Sequence, residues 1–302
     1  MKVLHGTMEV ANQMHTLATA LKRRGIDAHT LNYYPSYLEY EADAVFDIRR
    51  AGNRDAVRRA TAEIALTTIS YYDVFHFHYG SALTPSYDEM RLLRSAEKPV
   101  FMHHWGSDAR LISAAKRINP FAVSKQPEAE VRRQLEFYSR DISRCIVGDH
   151  ELKLYVDEYY DDVHVVPTAI DLDRYAPLND LPVKNRPLVV HAPTSPQIKG
   201  TSHVLKAVET LQDEIDFDFV LVQNRSHQEA MAIYQQADIV VDQLLIGSHG
   251  LFAAECMAMG KPVICWITEY MQERYPASLP IVSANPDTLR EKLQALLLDA
   301  EL

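Results

Sequence analysis

The chain has 302 residues, 47% hydrophobic and 24% charged, and carries a formal net charge of −10 at pH 7. That length suits two domains, and the composition is that of a soluble globular protein. The negative charge argues against general nucleic-acid binding and against a surface that strongly seeks anionic lipid. Three cysteines, Cys145, Cys256 and Cys265, lie in apolar contexts without Cys-x-x-Cys spacing, which points to a reducing, cytoplasmic setting and no structural metal. The start lacks the apolar stretch of a signal peptide, and no segment reaches the length of a membrane span.

Residues 3–5 predict a short strand and 10–24 a helix with Met14, Leu17, Ala18 and Leu21 on one face. Gly25 ends that helix, and 26–31 begins the next strand. This βαβ unit opens a Rossmann-like half, without the G-x-G-x-x-G of a nicotinamide site. Asn12 and Gln13 fall in the first helical turn, where they can meet a ligand or simply be the polar residues common there. Residues 32–40 form a loop with four tyrosines. Stacking against a sugar and packing over a domain edge explain them about equally. Arg49, Arg50, Arg54, Arg58 and Arg59 cluster ahead of and within a helix predicted at 55–70. Solvation of a helix face is the simpler reading, and a local basic patch leaves peripheral membrane contact open.

Residues 73–80, DVFHFHYG, form a strand and turn. Alternation puts His76 and His78 on one face and Phe75 and Phe77 on the other. Two histidines so spaced can bind metal, but no carboxylate ligand stands beside them, so a structural role is the simpler reading for at least one. A strand at 99–102 leads to HHWGSDAR, residues 103–110. A helix over 127–141, a strand over 144–148 and an Asp149 cap follow. The proline and small residues in 163–171 mark a domain boundary, giving domains 1–168 and 169–302.

The second half restarts with a strand at 187–192 and a loop ending in Lys199-Gly200, with a helix from 201. A lysine at a helix N-terminus opposes the helix dipole, so an anionic partner makes sense of it; a solvated surface lysine is the alternative. A strand over 218–223 brings Arg225 to its end as a candidate second cation. A helix over 226–236 leads to the stretch ADIVVDQLLIGSHGLFAAECMAMGKPVICW, residues 237–266. It reads as a buried strand at 239–241, a turn of Gly247, Ser248, His249 and Gly250, a helix, a C-capping Gly260 and a strand at 263–266. The turn lies at the carboxyl end of its strand, where open parallel sheets bind ligands, and a helix N-terminus there suits phosphate. Glu255 alone is polar within that helix. It needs a partner: a salt bridge on a partly exposed face, or ligand hydroxyls such as a ribose diol. A strand at 279–282 and a helix at 287–298 complete the chain.

GLFAAECMAMGKPVI resembles the donor-site signature of retaining GT-B fold glycosyltransferases, E-G-F-G-x-x-x-x-E-A-x-A-x-G-x-P-V-I. Gly250 matches the second glycine and Glu255 the second glutamate, while Gly247 stands where the family carries its first glutamate. DVFHFHYG resembles the family's D-V-V-H-x-H-G and HHWGSDAR its V-H-G-S-D-x-R, with Trp105 at the aligned histidine position. Residues 163–171 resemble the hinge V-x-V-I-P-N-G-V-D, and Lys199-Gly200 matches the family's diphosphate-contacting Lys-Gly, although small residues and His191 replace the upstream arginine.

The resemblance implies an α/β chain of two Rossmann-like domains facing across a cleft (GT-B fold), acceptor side first and donor side second. It implies transfer of a hexosyl group, with retention, from a UDP- or GDP-sugar to a sugar or glycolipid acceptor in surface polysaccharide or glycoconjugate synthesis. Residues 247–250, Lys199 and Arg225 would hold the diphosphate and Glu255 the ribose. His103 or His104, with Asp108, would border the reacting sugar, and Asn12, His78 and Trp105 would lie on the acceptor side. No metal or other cofactor is expected, since lysine and helix N–H groups can stabilise the departing diphosphate. Family members continue past this chain's last helix, which suggests a shortened C-terminus. Gly247 and the displaced histidine motivate an alternative, a catalytically weakened nucleotide- or sugar-binding protein of the same fold. A GT-B sugar-nucleotide epimerase is a third reading, whose expected carboxylates and histidines are not matched. No G-x-S-x-G elbow suggests a hydrolase.

Overall fold

The computed structural model describes residues 1–177, 184 and 186–299. The chain divides into two compact units: Met1–Leu111 with Gln126–Ala169, and Ile112–Lys125 with Ile170–Leu302. The excursion of Ile112–Lys125 into the second unit has no counterpart in the sequence pattern.

In the first unit the strands are β1 (Lys2–Thr7), β2 (Asp27–Asn32), β3 (Ala44–Val45), β4 (Val74–His78), β5 (Val100–His104), β6 (Arg144–Val147) and β7 (Asp162–Val165). They form one parallel sheet in the order β3-β2-β1-β4-β5-β6-β7. Helices α1 (Gln13–Arg23), α2 (Arg54–Tyr71) and α3 (Met90–Ser95) lie between its strands in the chain. The order reverses between β1 and β4, so the carboxyl ends of those two strands flank a switch point of the kind that makes ligand crevices. Phe75 and Phe77 are wholly buried, as alternation on β4 requires.

Helix α1 starts at Gln13, three residues later than its apolar spacing predicts, because Ala11 and Asn12 take left-handed φ values of 54° and 59°. The Glu9 carboxylate then accepts from the backbone N–H groups of Met14 (3.1 Å) and His15 (3.2 Å), satisfying orphan donors of the first turn. Gln13 is buried, and its amide grips the end of the unit: Nε2 donates to Ala169 O at 2.8 Å and Oε1 accepts from Ala169 N–H at 2.9 Å. In the tyrosine loop, packing explains Tyr33, which is buried and donates to Leu83 O at 3.0 Å, while Tyr37 stands exposed. The arginine cluster is partly neutralised by acids: Arg49 and Arg50 pair with Asp47, and Arg58 with Asp88.

Helix α4 (Ile112–Ala115) belongs to the excursion; α5 (Glu128–Ser139) and α6 (His150–Val156), the latter capped by Asp149, return to the first unit. The second sheet comprises β8 (Leu188–His191), β9 (Asp218–Leu221), β10 (Ile239–Val241), β11 (Val263–Cys265) and β12 (Ile281–Ser283), all parallel, in the order β12-β11-β10-β8-β9. Its helices are α7 (Pro196–Lys199), α8 (Thr201–Gln212), α9 (His227–Tyr234), α10 (Leu251–Ala258), α11 (Glu269–Gln272) and α12 (Leu289–Leu297). One core joins Val204 and Leu211 of α8 to Leu289 and Leu293 of α12; another joins Tyr234 of α9 to Phe252 and Cys256 of α10. Central β10 is apolar and buried throughout, with β8 and β11 as neighbours. β12 starts two residues later than predicted; Pro280, just before it, has no N–H to give a ladder. Gly260 follows α10 at φ +73°, a position that favours glycine. Among the described residues no helix is long and apolar enough to cross a membrane.

Candidate functional site

The second sheet has its switch point between β8 and β10, and the segments after those strands supply its polar groups. Lys199, last residue of α7, donates from Nζ to Asp242 Oδ1 at 2.8 Å. The backbone N–H of Gly250, immediately before α10, donates to Asp242 Oδ2 at 3.1 Å. Asp242 directly follows β10 and is 1% exposed; the Lys199 side chain is 16% exposed and so reaches solvent. One carboxylate is thus bracketed by an ammonium and a helix N-terminus, an environment built for negative charge. A Cβ at Gly250 would lie 3.0 Å from Lys199 Nζ and 3.3 Å from Asp242 Oδ2, so the missing side chain keeps the backbone close to both. Ser248 is buried, and its carbonyl accepts from Gln243 Nε2. His249 stacks on Tyr275 at 4.9 Å, and burial holds its imidazole below the usual pKa range.

Glu255 lies in the second turn of α10 and is buried. Its Oε1 accepts from the Tyr175 hydroxyl at 2.8 Å and from His227 Nε2 at 2.9 Å. The partner that an isolated carboxylate requires is therefore a tyrosine after the hinge and the first residue of α9. Arg225 sits two residues before α9, exposed, and pairs with Glu229 at 3.7 Å. It is not brought to Asp242 by any contact among the described residues.

Gly247 has φ +94°, and a Cβ there would stand 2.6 Å from Thr268 Cγ2 and 3.1 Å from Asn119 Nδ2. Its carbonyl accepts from Thr268 N–H at 3.0 Å. Asn119, from the excursion, donates to Leu245 O at 3.0 Å and accepts from Trp266 Nε1 at 3.3 Å. Neither the backbone nor the space admits the glutamate that the resemblance places at 247.

In the first unit His103 and His104 are consecutive on β5 and project to opposite faces. His104 is buried, with Nδ1 2.8 Å from Asp108 Oδ2 and Nε2 2.8 Å from the Tyr160 hydroxyl. Asp108 Oδ1 also accepts from the N–H groups of Trp105 and Gly106, both at 3.0 Å, so this aspartate organises the loop after β5. His103 faces the other way, its ring stacked under Trp105 at 3.8 Å. His78 is fully buried; it takes a hydrogen bond from Trp105 Nε1 at 3.2 Å and lies 3.3 Å from His5. Asn12 is buried in its left-handed turn after β1.

Sequence reasoning missed Asp242, Tyr175, His227 and His5. Asp242 was marked only by its place after a buried strand. Tyr175, His227 and Glu255 are far apart in the chain, and no local period connects them.

No protein-family model matches the sequence, and no curated protein matches it. Solved structures do resemble it in fold. Sucrose-phosphate synthase from Thermosynechococcus elongatus aligns at 14% identity and TM-score 0.63, over 99% of this chain and 90% of the other. UDP-GlcNAc 2-epimerase from Methanocaldococcus jannaschii aligns at 12% identity and TM-score 0.55, over 100% and 93%. Anabaena HepE, solved in complex with UDP, aligns at 14% identity and TM-score 0.57, over 98% and 89%. The chain is an α/β protein with two Rossmann-like parallel sheets and has the GT-B fold.

Proposed function

We propose that the chain transfers a sugar from a nucleotide-diphosphate sugar to an acceptor hydroxyl, with retention. The observation that carries this reading is the convergence of Lys199 Nζ and the Gly250 N–H on a single carboxylate at the switch point of the second sheet. A diphosphate there would use the donors that Asp242 leaves over. The Lys199 ammonium has three donors and gives one to Asp242, leaving two for phosphate oxygens. Asp242 orients the ammonium, and the N-terminus of α10 adds its partial positive charge as the diphosphate departs. Glu255, fixed by Tyr175 and His227, accepts from the ribose hydroxyls. In this reading the donor chemistry needs no metal, and the donor is a UDP- or GDP-sugar. Arg225 is a supplementary phosphate contact, and Asp108 shapes the loop after β5 through His104 and the N–H groups of residues 105 and 106. The acceptor is a sugar or glycolipid, consistent with a role in polysaccharide or glycoconjugate synthesis.

The test is turnover. A panel of UDP- and GDP-sugars is incubated with the protein and simple glycoside acceptors, and the product anomer is read by NMR. Transfer with the donor's anomeric configuration supports the reading; an inverted product removes retention from it. The second reading is a nucleotide- or sugar-binding protein of weakened activity, favoured by the exclusion of any side chain at Gly247. Nucleotide binding without hydrolysis or transfer would select it. Conversion of a UDP-sugar to its C2 epimer, with no acceptor, would instead select the epimerase reading that the Methanocaldococcus jannaschii structure suggests.

A further inference from the structure

The first sheet carries a layer of histidines that the donor chemistry leaves unused. His76 and His78 stand two apart on β4. His5 on β1 is the register partner of His76, and His103 on β5 is the register partner of His78. All four therefore project from one face of three adjacent strands.

We propose that His5, His76 and His78 bind a divalent transition ion of the zinc class, with His103 beside them as a fourth nitrogen. One ring nitrogen from each of the three lies within 4.8 Å of the others. Nitrogens on a tetrahedral zinc ion sit roughly 3.3 Å apart, given Zn–N distances of roughly 2.0–2.1 Å. Two pairs already have that spacing: His5 Nδ1 and His78 Nε2 at 3.3 Å, and His76 Nε2 and His103 Nδ1 at 3.2 Å. The backbones are fixed in the ladder, so closing the remaining gap falls to the side-chain torsions. An all-imidazole set selects zinc, nickel or copper over magnesium or calcium. Burial keeps the rings neutral, with His5 lowered to about 4 and His76, His78 and His103 well below the ordinary value, so no imidazolium has to lose its charge before an ion binds.

The internal hydrogen bonds engage the lone pairs of His78 and His5, which an ion exchanges for its own bonds. Trp105 Nε1–H only donates, so His78 Nδ1 accepts and the single proton of neutral His78 sits on Nε2. That proton goes to His5 Nδ1, which leaves the proton of His5 on its Nε2. His5 Nε2 and His103 Nε2 are both buried and have no hydrogen-bond partner among the described residues. A second consequence follows for Trp105. If the ion takes His78 Nε2, the remaining proton moves to Nδ1, which can no longer accept from the indole. If it takes Nδ1, it displaces the indole directly. Ligation through either nitrogen breaks the Trp105–His78 hydrogen bond.

The test uses the full chain, stripped with a chelator and titrated with cobalt(II). The expected result is one cobalt per chain with the intense visible bands of a tetrahedral nitrogen site, displaced by zinc. Tryptophan emission should change in step with those bands, and Trp105→Phe should remove most of that change while keeping the bands. His5→Asn and His76→Asn should each lower cobalt loading at least tenfold, whereas His164→Asn, on the exposed edge strand β7, should load normally. Folded wild-type protein without bands or stoichiometric metal would overturn the proposal. So would full loading that survives His76→Asn, or loading that leaves Trp105 emission unchanged. If a histidine variant fails to fold, the wild-type stoichiometry and the Trp105 response still decide the question.

Discussion

Gly247 shows how one residue can look like a loss and be a requirement. Its positive φ and the 2.6 Å approach of Thr268 Cγ2 forbid a side chain. Gly247→Ala should cost about 2–4 kcal/mol from backbone strain and overpacking, read as a lower midpoint in urea. Gly247→Glu, which restores the resemblance's motif, should be at least as destabilised and show no gain in turnover. Lys199 pairs with Asp242 and, in the proposed function, also holds the diphosphate. Lys199→Met leaves Asp242 buried beside a single N–H donor, so stability should fall by about 3 kcal/mol, somewhat less if water reaches the vacated space. Asp242→Asn in the same chain should recover part of that loss without restoring nucleotide binding, which separates the two roles.

Elements position these residues, and they differ in how plainly the chain announces them. Buried strand β10 and the presence of helix α10 were legible, because Ile239, Val240 and Val241 form an apolar run and Leu251, Ala254 and Ala258 recur at helical spacing; the buried face of α10 was not, since it is Phe252, Ala253, Glu255 and Cys256 that are buried and those three that are half-buried. Lys199, Gly250 and Glu255 were singled out by the rule that ligands gather beyond strand carboxyl ends and by the resemblance, and the structure brings Lys199 and Gly250 together on Asp242. Asp242 was not, because an aspartate after a strand has no periodic signature until β8 and β10 lie side by side. The late start of α1 was hidden too: it depends on two left-handed residues and on the Glu9 carboxylate, not on apolar spacing. The His-x-His of β4 was visible, but His5 joins it only through the β1–β4 register. At this scale the link from the segment after the hinge to α10 is testable. Tyr175→Phe removes one of the two hydrogen bonds to Glu255 Oε1 and should cost about 1 kcal/mol of stability, with a smaller loss of nucleotide affinity than Glu255→Gln.

Across the whole molecule the buried histidines set the response to acid. His191 in the second unit lies 2.7 Å from Val241 O and 2.9 Å from the Thr201 hydroxyl, and burial lowers it to about 4. His5 is lowered to the same value, and His76, His78 and His103 are held well below the ordinary value by burial and by neighbouring histidines. Each binds a proton more readily unfolded than folded, so its contribution is complete above the ordinary 6.5 and is lost as pH falls toward the folded value. The slope is at most about 1.4 kcal/mol per pH unit for each histidine. Glu9 acts in the opposite sense. Burial raises it to about 7, so its contribution is present below the ordinary 4.5 and is lost as pH rises through 7. The histidines outnumber it, and both units should melt at lower urea at about pH 5 than at about pH 7. His191→Gln should flatten that dependence in the second unit. A chain more stable at the acid value would show that these rings are not held neutral.

The central claim is that the switch point of the second sheet binds a nucleotide diphosphate. Calorimetric titration of the full chain with UDP, GDP and ADP, in parallel with Lys199→Met and Glu255→Gln, tests it most directly. One nucleotide should bind in the micromolar range, about −8 kcal/mol, with each variant weakening it roughly tenfold or more. Nucleoside monophosphate should bind the wild type more weakly and be nearly indifferent to Lys199→Met. No binding of any nucleotide to folded protein, or binding untouched by either substitution, would contradict a diphosphate site at Lys199 and Gly250.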